Sequence, residues 1–341
     1  MLNRKLAEYE LVVGRPVLDQ LHQLASSLTG MRVVHVNSTR VGGGVAEILT
    51  WMVPFMQELG IDASWQTIEG NAGFFRTTKM FHNGFQGNPV NLTSSDIKAY
   101  EQTNEANAER LRPILETADA VFIHDPQPAA LLDSCPNREG KWIWRCHIDA
   151  SHPDRQVWKY LRRFLADYDA SIFSLYSFSR YLDHPQFIIA PSIDPLSDKN
   201  CELEQGEMDK AYSRFGLDRN RPLLVQISRF DSFKDPVGVI KAFRIVQDFA
   251  PAQLVLAGGG ATDDPEGDMV LNEVREEAGD DEDIHILLLP GDAHRTINAL
   301  QRISDIIIQK STREGFGLTV TEGLWKSKPV IGGNTGGIVL Q

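Results

Sequence analysis

Residues 313–322 read Arg-Glu-Gly-Phe-Gly-Leu-Thr-Val-Thr-Glu and carry the sharpest chemical signal in the chain. Glu314 follows the apolar run DIIIQ, and Gly315, Phe316, Gly317 and Leu318 are expected to form the first turn of a helix. Free amides and the positive dipole end at such a turn favour a negatively charged ligand group. Glu322, expected two turns in, has a carboxylate suited to a vicinal diol, whose two hydroxyls it can accept together. Two carboxylates also fit a glycosidase pair, in which the separation sets their roles, and an ordinary helix start would simply leave both solvated. A second element, Ser228-Arg229-Phe-Asp231-Ser-Phe-Lys234-Asp235-Pro236, follows another apolar run and opens a helix. Arg229 can fork across phosphate oxygens and Lys234 can act as a point charge, an arrangement suited to a diphosphate. The bland alternative is a set of solvated charges balanced by Asp231 and Asp235. Amides and cations together suit a phosphate-bearing donor better than a plain glycoside.

Two further turns are candidates. Gly42-Gly43-Gly44 follows RVVHVNSTRV and precedes a helical run, so Gly43 and Gly44 allow a ligand to approach the backbone, where free amides attract anions. A dinucleotide fingerprint would need Gly or Ala where Glu47 stands, and no Gly-Lys-Ser/Thr follows to make a phosphate loop. A tight turn without a ligand remains the alternative. His147 and Asp149 follow the run KWIWRC and are placed to reach sugar hydroxyls or a carbonyl. A histidine at a strand end is otherwise structural.

The elements that must hold these turns alternate along the chain. Apolar runs at 32–36, 120–123, 141–145 and 171–173 read as buried strands, with helical stretches at 45–59, 95–117 and 155–166 between them. Pro16 opens a further helix near the start. Residues 188–195 lead through two prolines into a polar stretch, after which strands at 222–228, 254–257, 284–289, 305–308 and 329–331 alternate with helices again. The 254–257 run ends in Gly258-Gly259-Gly260. Strands buried on both faces and separated by helices give parallel sheets, and ligands of such sheets sit beyond the carboxyl ends of the strands. The expected fold is α/β, with two doubly wound Rossmann-like domains at 1–190 and 206–341 and a linker at 191–205.

Composition narrows the function. The chain has 341 residues, two domains' worth at about 150 residues each. Its 42% hydrophobic and 23% charged residues are those of a globular protein. A net charge of −12 argues against a sequence-blind nucleic-acid binder. Cys135, Cys146 and Cys201 are far apart and show no metal spacing. The N-terminal residues lack the apolar core of a signal peptide, and no apolar run reaches the ~20 residues of a membrane span. The expected setting is the cytoplasm, with no nucleic-acid or membrane partner.

Taken together, the glycine turn, the S-R-x-D-x-x-K element from Ser228 to Lys234 and the E-x7-E element from Glu314 to Glu322 resemble the retaining glycosyltransferases of the GT-B arrangement, in which two Rossmann-like domains face a cleft. The leading helix, HVNSTRVGGGVAEIL, the helix-rich insert near Phe74–Phe85 and WRCHIDASHPD are similar to the glycosyl-transferring trehalose synthases within that group. Related retaining trehalose phosphorylases share much of this text.

The resemblance implies transfer of glucose from a nucleotide diphosphate glucose (UDP, ADP or GDP) to free glucose, giving α,α-trehalose. The alternatives are phosphorolysis of trehalose and a catalytically silent nucleotide-sugar-binding protein. It implies an acceptor-side N-terminal domain and a donor-side C-terminal domain. Gly43 and Gly44 would pack against donor phosphates or acceptor, and Arg229 and Lys234 would hold the diphosphate. Glu314 and the amides of residues 315–318 would hold the transferred glucose, His147 would touch its hydroxyls and Glu322 would bind the ribose. Asp149 is added as an acceptor ligand. Front-face attack is implied, with a leaving-group phosphate oxygen taking the acceptor's proton and cations stabilising the charge. No cofactor and no essential metal are expected, and a homodimer is compatible with the resemblance. Members of the group continue beyond the GGNTGGI loop, so the second domain is expected to be incomplete, with nucleotide-sugar binding surviving better than turnover.

Overall fold

The computed structural model describes residues 5–41, 43–259 and 267–341. Gly42 and Gly260, members of the two glycine runs noted above, lie outside the described residues, as do residues 1–4 at the start of the N-terminal segment. The chain divides into two compact units, Met1–Ala190 and Pro191–Gln341.

The first unit holds β1 (Arg32–Asn37), β2 (Asp62–Thr67), β3 (Ala120–His124), β4 (Lys141–Cys146), β5 (Ala170–Phe173) and β6 (Gln186–Ile188). They form one sheet in the order β2-β1-β3-β4-β5-β6, parallel throughout. β1 is buried along five consecutive residues, as a strand covered on both faces must be. β2, by contrast, has no apolar run: DASWQT is mostly half-buried and becomes a strand through its register with β1, Val34 opposite Ser64 and His35 opposite Trp65. That edge strand is invisible to an apolar-run reading.

Helices pack around this sheet with local start signals. Asn71 caps Ala72–Phe85 by accepting from the Phe74 amide, and Asp154 caps Arg155–Leu165 through the Gln156 and Val157 amides. Thr93 and Asp96 form a capping box for Ser94–Leu115. Their apolar faces enclose Trp142 and Trp144, both fully buried. Trp144 meets Phe173 edge-on at 5.7 Å between centroids and Phe85 at 6.2 Å. Truncating such a tryptophan typically costs about 3–5 kcal/mol, so this cluster is the platform beneath the ends of β3 and β4.

The second unit holds β7 (Leu223–Ile227), β8 (Gln253–Gly258), β9 (Ile284–Leu288), β10 (Ile306–Gln309) and β11 (Val330–Gly332). Their order is β11-β10-β7-β8-β9, again all parallel. In each sheet the chain reverses its winding once: between β1 and β3 in the first unit, and between β7 and β10 in the second. Doubly wound sheets bind ligands beyond such switch points. Residues 191–205, expected as a linker, instead pack onto the second unit. Asn298 donates to the carbonyls of Asp198 and Cys201, and Lys326 Nζ donates to Asn200 Oδ1 at 2.8 Å. Buried polar side chains hold this polar stretch down, which composition alone does not reveal. Among the described residues no helix is long and apolar enough to cross a membrane.

Candidate functional site

In the second unit the turns after β7 and β10 meet at the switch point. Lys234 ends a short 3-10 turn whose start is fixed by Asp231, which accepts from the Phe233 amide at 2.8 Å. Its ammonium donates to Glu314 Oε2 at 2.5 Å. The same oxygen accepts from Gln309 Nε2 and Ser311 Oγ, both at 3.0 Å. Burial by itself would raise the Glu314 carboxyl, but the Lys234 ammonium and these hydrogen bonds outweigh it and hold the carboxyl below its ordinary value. Arg229 lies half-buried two residues past the end of β7. The backbone there is closely packed: a Cβ on Gly258 would lie 1.7 Å from the Ser228 carbonyl oxygen, so only glycine fits at the end of β8.

Beside Glu314 the chain differs from expectation. The helix is Leu318–Trp325, capped by Gly317 in the left-handed region (φ 87°), so Gly315 and Phe316 precede it rather than form its first turn. A left-handed cap favours glycine, and the helix cannot extend backward through it. The amides remain available nonetheless. None of the backbone N–H groups of Gly315, Phe316, Gly317 and Leu318 donates a hydrogen bond to another described residue, and Gly315, Phe316 and Leu318 are only partly buried. Four orphan donors next to a held carboxylate suit oxygen-rich ligands. The loop 332–337 buttresses this turn. A Cβ on Gly333, Gly336 or Gly337 would lie 2.2 Å from the Ser311 carbonyl oxygen, 1.7 Å from that of Glu314 and 2.3 Å from Phe316 Cα respectively.

Glu322 does not join this group. It sits one turn, not two, into its helix, and its side chain is fully buried. One oxygen is 2.8 Å from Lys199 Nζ and the other accepts from Gln301 Nε2 at 2.8 Å. Burial opposes its charge, and Lys199 outweighs burial and keeps the carboxyl low. The carboxylate is thus shared between an ammonium and an amide in the interior, and the ribose role expected of it is carried forward as a proposal. The partner, Lys199, comes from the segment read as a linker.

In the first unit, Gly43 and Gly44 are exposed at the start of the helix Gly44–Glu58, and a Cβ on Gly43 would meet nothing within 4 Å. That leaves open space over the turn after β1. His147 is half-buried, and its amide donates to Asp125 Oδ1 at 2.7 Å. Asp125 holds φ 63°, uncommon for a non-glycine residue. Asp149, expected as an acceptor ligand, is buried and caps its own turn, Oδ1 accepting from the Ser151 amide at 2.9 Å.

Two residues absent from the sequence reading stand behind His147. His124 Nδ1 lies 3.0 Å from His147 Nε2, and His35 Nδ1 lies 3.1 Å from His124 Nε2. Burial lowers all three: His35 to about 4, His147 to about 3 with Arg145 adding to the effect, and His124 well below its ordinary value. The available signal was register. His35 pairs with Phe122 and His124 with Arg145, so each histidine lies two residues beyond the partner of the one before, on the same face of the sheet.

Residues 35–180 match the family model described as trehalose synthase, N-terminal domain, and residues 208–340 match that of glycosyl transferases group 1. The chain is 46% identical over 343 residues to a protein named trehalose synthase from Thermococcus litoralis, spanning 99% of this chain and 82% of the relative. It is 44% identical over 345 residues to one of the same name from Rubrobacter xylanophilus (99% and 83%). A trehalose phosphorylase from Pleurotus pulmonarius is 28% identical over 393 residues, with 98% of this chain and 52% of the relative covered. Among solved structures, the trehalose-6-phosphate synthase OtsA superposes with a TM-score of 0.68 at 14% identity, over 89% of this chain and 84% of that one. At that identity the likeness is one of fold: two parallel-sheet α/β domains of the GT-B type.

Proposed function

Since the chain belongs to the trehalose synthase family of group 1 glycosyl transferases, we propose that it moves glucose from a nucleotide diphosphate glucose to free glucose with retention, giving α,α-trehalose. The observation that carries the reading is the second unit's switch point, where Lys234 and Glu314 are joined beside four amides that have no partner among the described residues. Arg229 follows the same strand as Lys234.

On this reading the bond from glucose C1 to the diphosphate oxygen breaks, and the acceptor oxygen bonds to C1 on the same face. The acceptor's hydroxyl proton passes to a phosphate oxygen of the leaving nucleotide. Arg229 and Lys234 take up the charge that grows on that diphosphate, the kind of preorganised stabilisation that dominates such reactions. Glu314 accepts hydroxyls of the transferred glucose while the amides of residues 315–318 donate to it. Because Lys234 already contacts Glu314, one ammonium serves both donor halves and fixes the sugar relative to its phosphate. His147 is assigned to a sugar hydroxyl, and the open turn at Gly43 and Gly44 to substrate passing over the backbone. No metal is required by this scheme.

The test is incubation with UDP-, ADP- or GDP-glucose and glucose, with products resolved by chromatography. Trehalose with matching nucleotide release supports the proposal. Glucose 1-phosphate formed only from trehalose and phosphate would transfer the chain to the phosphorylase reading, although its 46% identity to named synthases exceeds its 28% identity to the phosphorylase. Nucleotide binding with neither product would leave a silent binding protein.

A further inference from the structure

Three ring systems, on β1, on β3 and just past the end of β4, are linked nitrogen to nitrogen: His35 Nδ1 to His124 Nε2 at 3.1 Å, and His124 Nδ1 to His147 Nε2 at 3.0 Å. The nitrogens face one another instead of converging on a point, and among the described residues no group of His, Cys, Asp and Glu is arranged to hold a metal. The row is therefore a hydrogen-bonded chain. His35 is anchored at the inner end by stacking on Phe122 at 4.8 Å and 17°. His124 and His147 stack at 5.3 Å and 19°. His35 and His124 are buried, and His147 at the outer end is half-buried.

A neutral imidazole carries one N–H and one bare nitrogen, so His124 must donate at one side and accept at the other. Only two polarities follow. If donation runs inward from His147, His35 is left with an N–H at Nε2, and that atom is buried without a partner among the described residues. If donation runs outward from His35, the orphan at Nε2 is a bare nitrogen, and orphaned buried N–H groups are the rarer defect in proteins. Outward donation makes every ring an Nδ1–H tautomer. His147 then accepts at Nε2 and has its proton on Nδ1, which bonds no other described residue.

We infer that His35 and His124 are positioning residues that lock His147 as an Nδ1–H donor, so that the ligand oxygen it meets is held as an acceptor. The inference deepens the assignment of His147 to a sugar hydroxyl and rests on it. It adds a direction: the hydroxyl receives a hydrogen bond from His147 and keeps its own proton for another acceptor. The same lock keeps His147 uncharged. The low proton affinity of all three rings, which burial produces, agrees with a permanently neutral chain.

The test begins with two-bond nitrogen–proton correlation spectra of the unliganded, histidine-labelled protein, in which the tautomer is read directly. The expected result is Nδ1–H for His35, His124 and His147. Finding His147 as Nε2–H overturns the inference whether or not the protein makes trehalose, so its failure is separable from failure of the functional reading. In kinetics, His124→Leu removes the donor to His147, and kcat/KM is expected to fall by about tenfold, one hydrogen bond's worth of orientation. His124→Asn retains an amide donor near the Nδ1 position and is expected to recover most of that loss, which restored packing alone would not do. Equal kcat/KM in His124→Leu and the parent, with an unchanged His147 tautomer, also overturns it. If His124→Leu does not fold, the parent spectrum alone decides.

Discussion

Lys234 and Glu314, 80 residues apart in sequence, meet at 2.5 Å where the turns after β7 and β10 cross the switch point of the second sheet. Both side chains are largely buried, at 19% and 11% exposure, so the pair is insulated from solvent screening. A cation that is suited to a diphosphate is thus mechanically tied to a carboxylate that is suited to sugar hydroxyls.

Breaking that tie is expected to be costly from either side. Lys234→Met leaves a buried carboxylate without its cation, a change that typically destabilises by about 3–5 kcal/mol. It also raises the Glu314 carboxyl, because burial is then opposed only by the Gln309 and Ser311 hydrogen bonds. In the parent the Glu314 carboxyl lies below its unfolded value, so its stabilising contribution is present above that value and is lost as pH falls through the folded one. Thermal unfolding across the acid range should show this acid loss diminished or reversed in Lys234→Met, because a raised folded value removes the excess protons that the unfolded state takes up. Identical pH profiles would count against the pair.

Glu322 and Lys199 are expected to behave as a structural pair. Glu322→Gln and Lys199→Met should each lower the unfolding midpoint, and the double variant should be less destabilised than the sum, as contacting charges are coupled. Nucleotide affinity in Glu322→Gln should change less than in Arg229→Ala. Arg229→Ala is expected to weaken binding by about 1.5–3 kcal/mol, the usual range for a hydrogen bond to a charged group. Calorimetric titration with a nucleoside diphosphate separates the two; a larger affinity loss in Glu322→Gln would support the ribose role over the structural one.

The histidine row gives a pH dependence of opposite origin. All three rings are neutral in the fold with lowered proton affinity, whereas the unfolded chain protonates them near the ordinary value of 6.5. The unfolded state therefore binds more protons as pH drops, and stability falls between about pH 6.5 and 4, by up to about 1.4 kcal/mol per pH unit for each histidine. Denaturant titrations over that window should be shallower in pH for His35→Phe than for the parent. An unchanged slope would refute the burial argument.

The loop 332–337 is expected to control the turn it supports. Gly336 holds φ 49° and has the Glu314 carbonyl oxygen where a Cβ would go, at 1.7 Å. Gly336→Ala should displace Glu314 and the amides behind it, lowering turnover more than stability, with overpacking of this kind costing typically 1–3 kcal/mol. Gly206→Ala, where a Cβ meets nothing within 4 Å, serves as the control and should be silent. Circular dichroism with initial rates measures both.

Much of this protein was legible as text. Both parallel sheets followed from short apolar runs between helical stretches, because strands covered on both faces need continuous apolar sequence. Lys234, Glu314 and residues 315–318 could be named as candidates because strand-end turns are local features with recognisable residue types. Tertiary structure alone decided who meets whom. Glu322 shows no partner in the text, and only the fold brings Lys199 from the segment 191–205 to its carboxylate. His35 and His124 read as strand residues until register sets them diagonally behind His147. β2 became a strand only by pairing with β1. The physical reason is common to all three: burial and hydrogen-bond partnership are fixed by non-local strand order, and a window of sequence holds no record of what will be laid beside it.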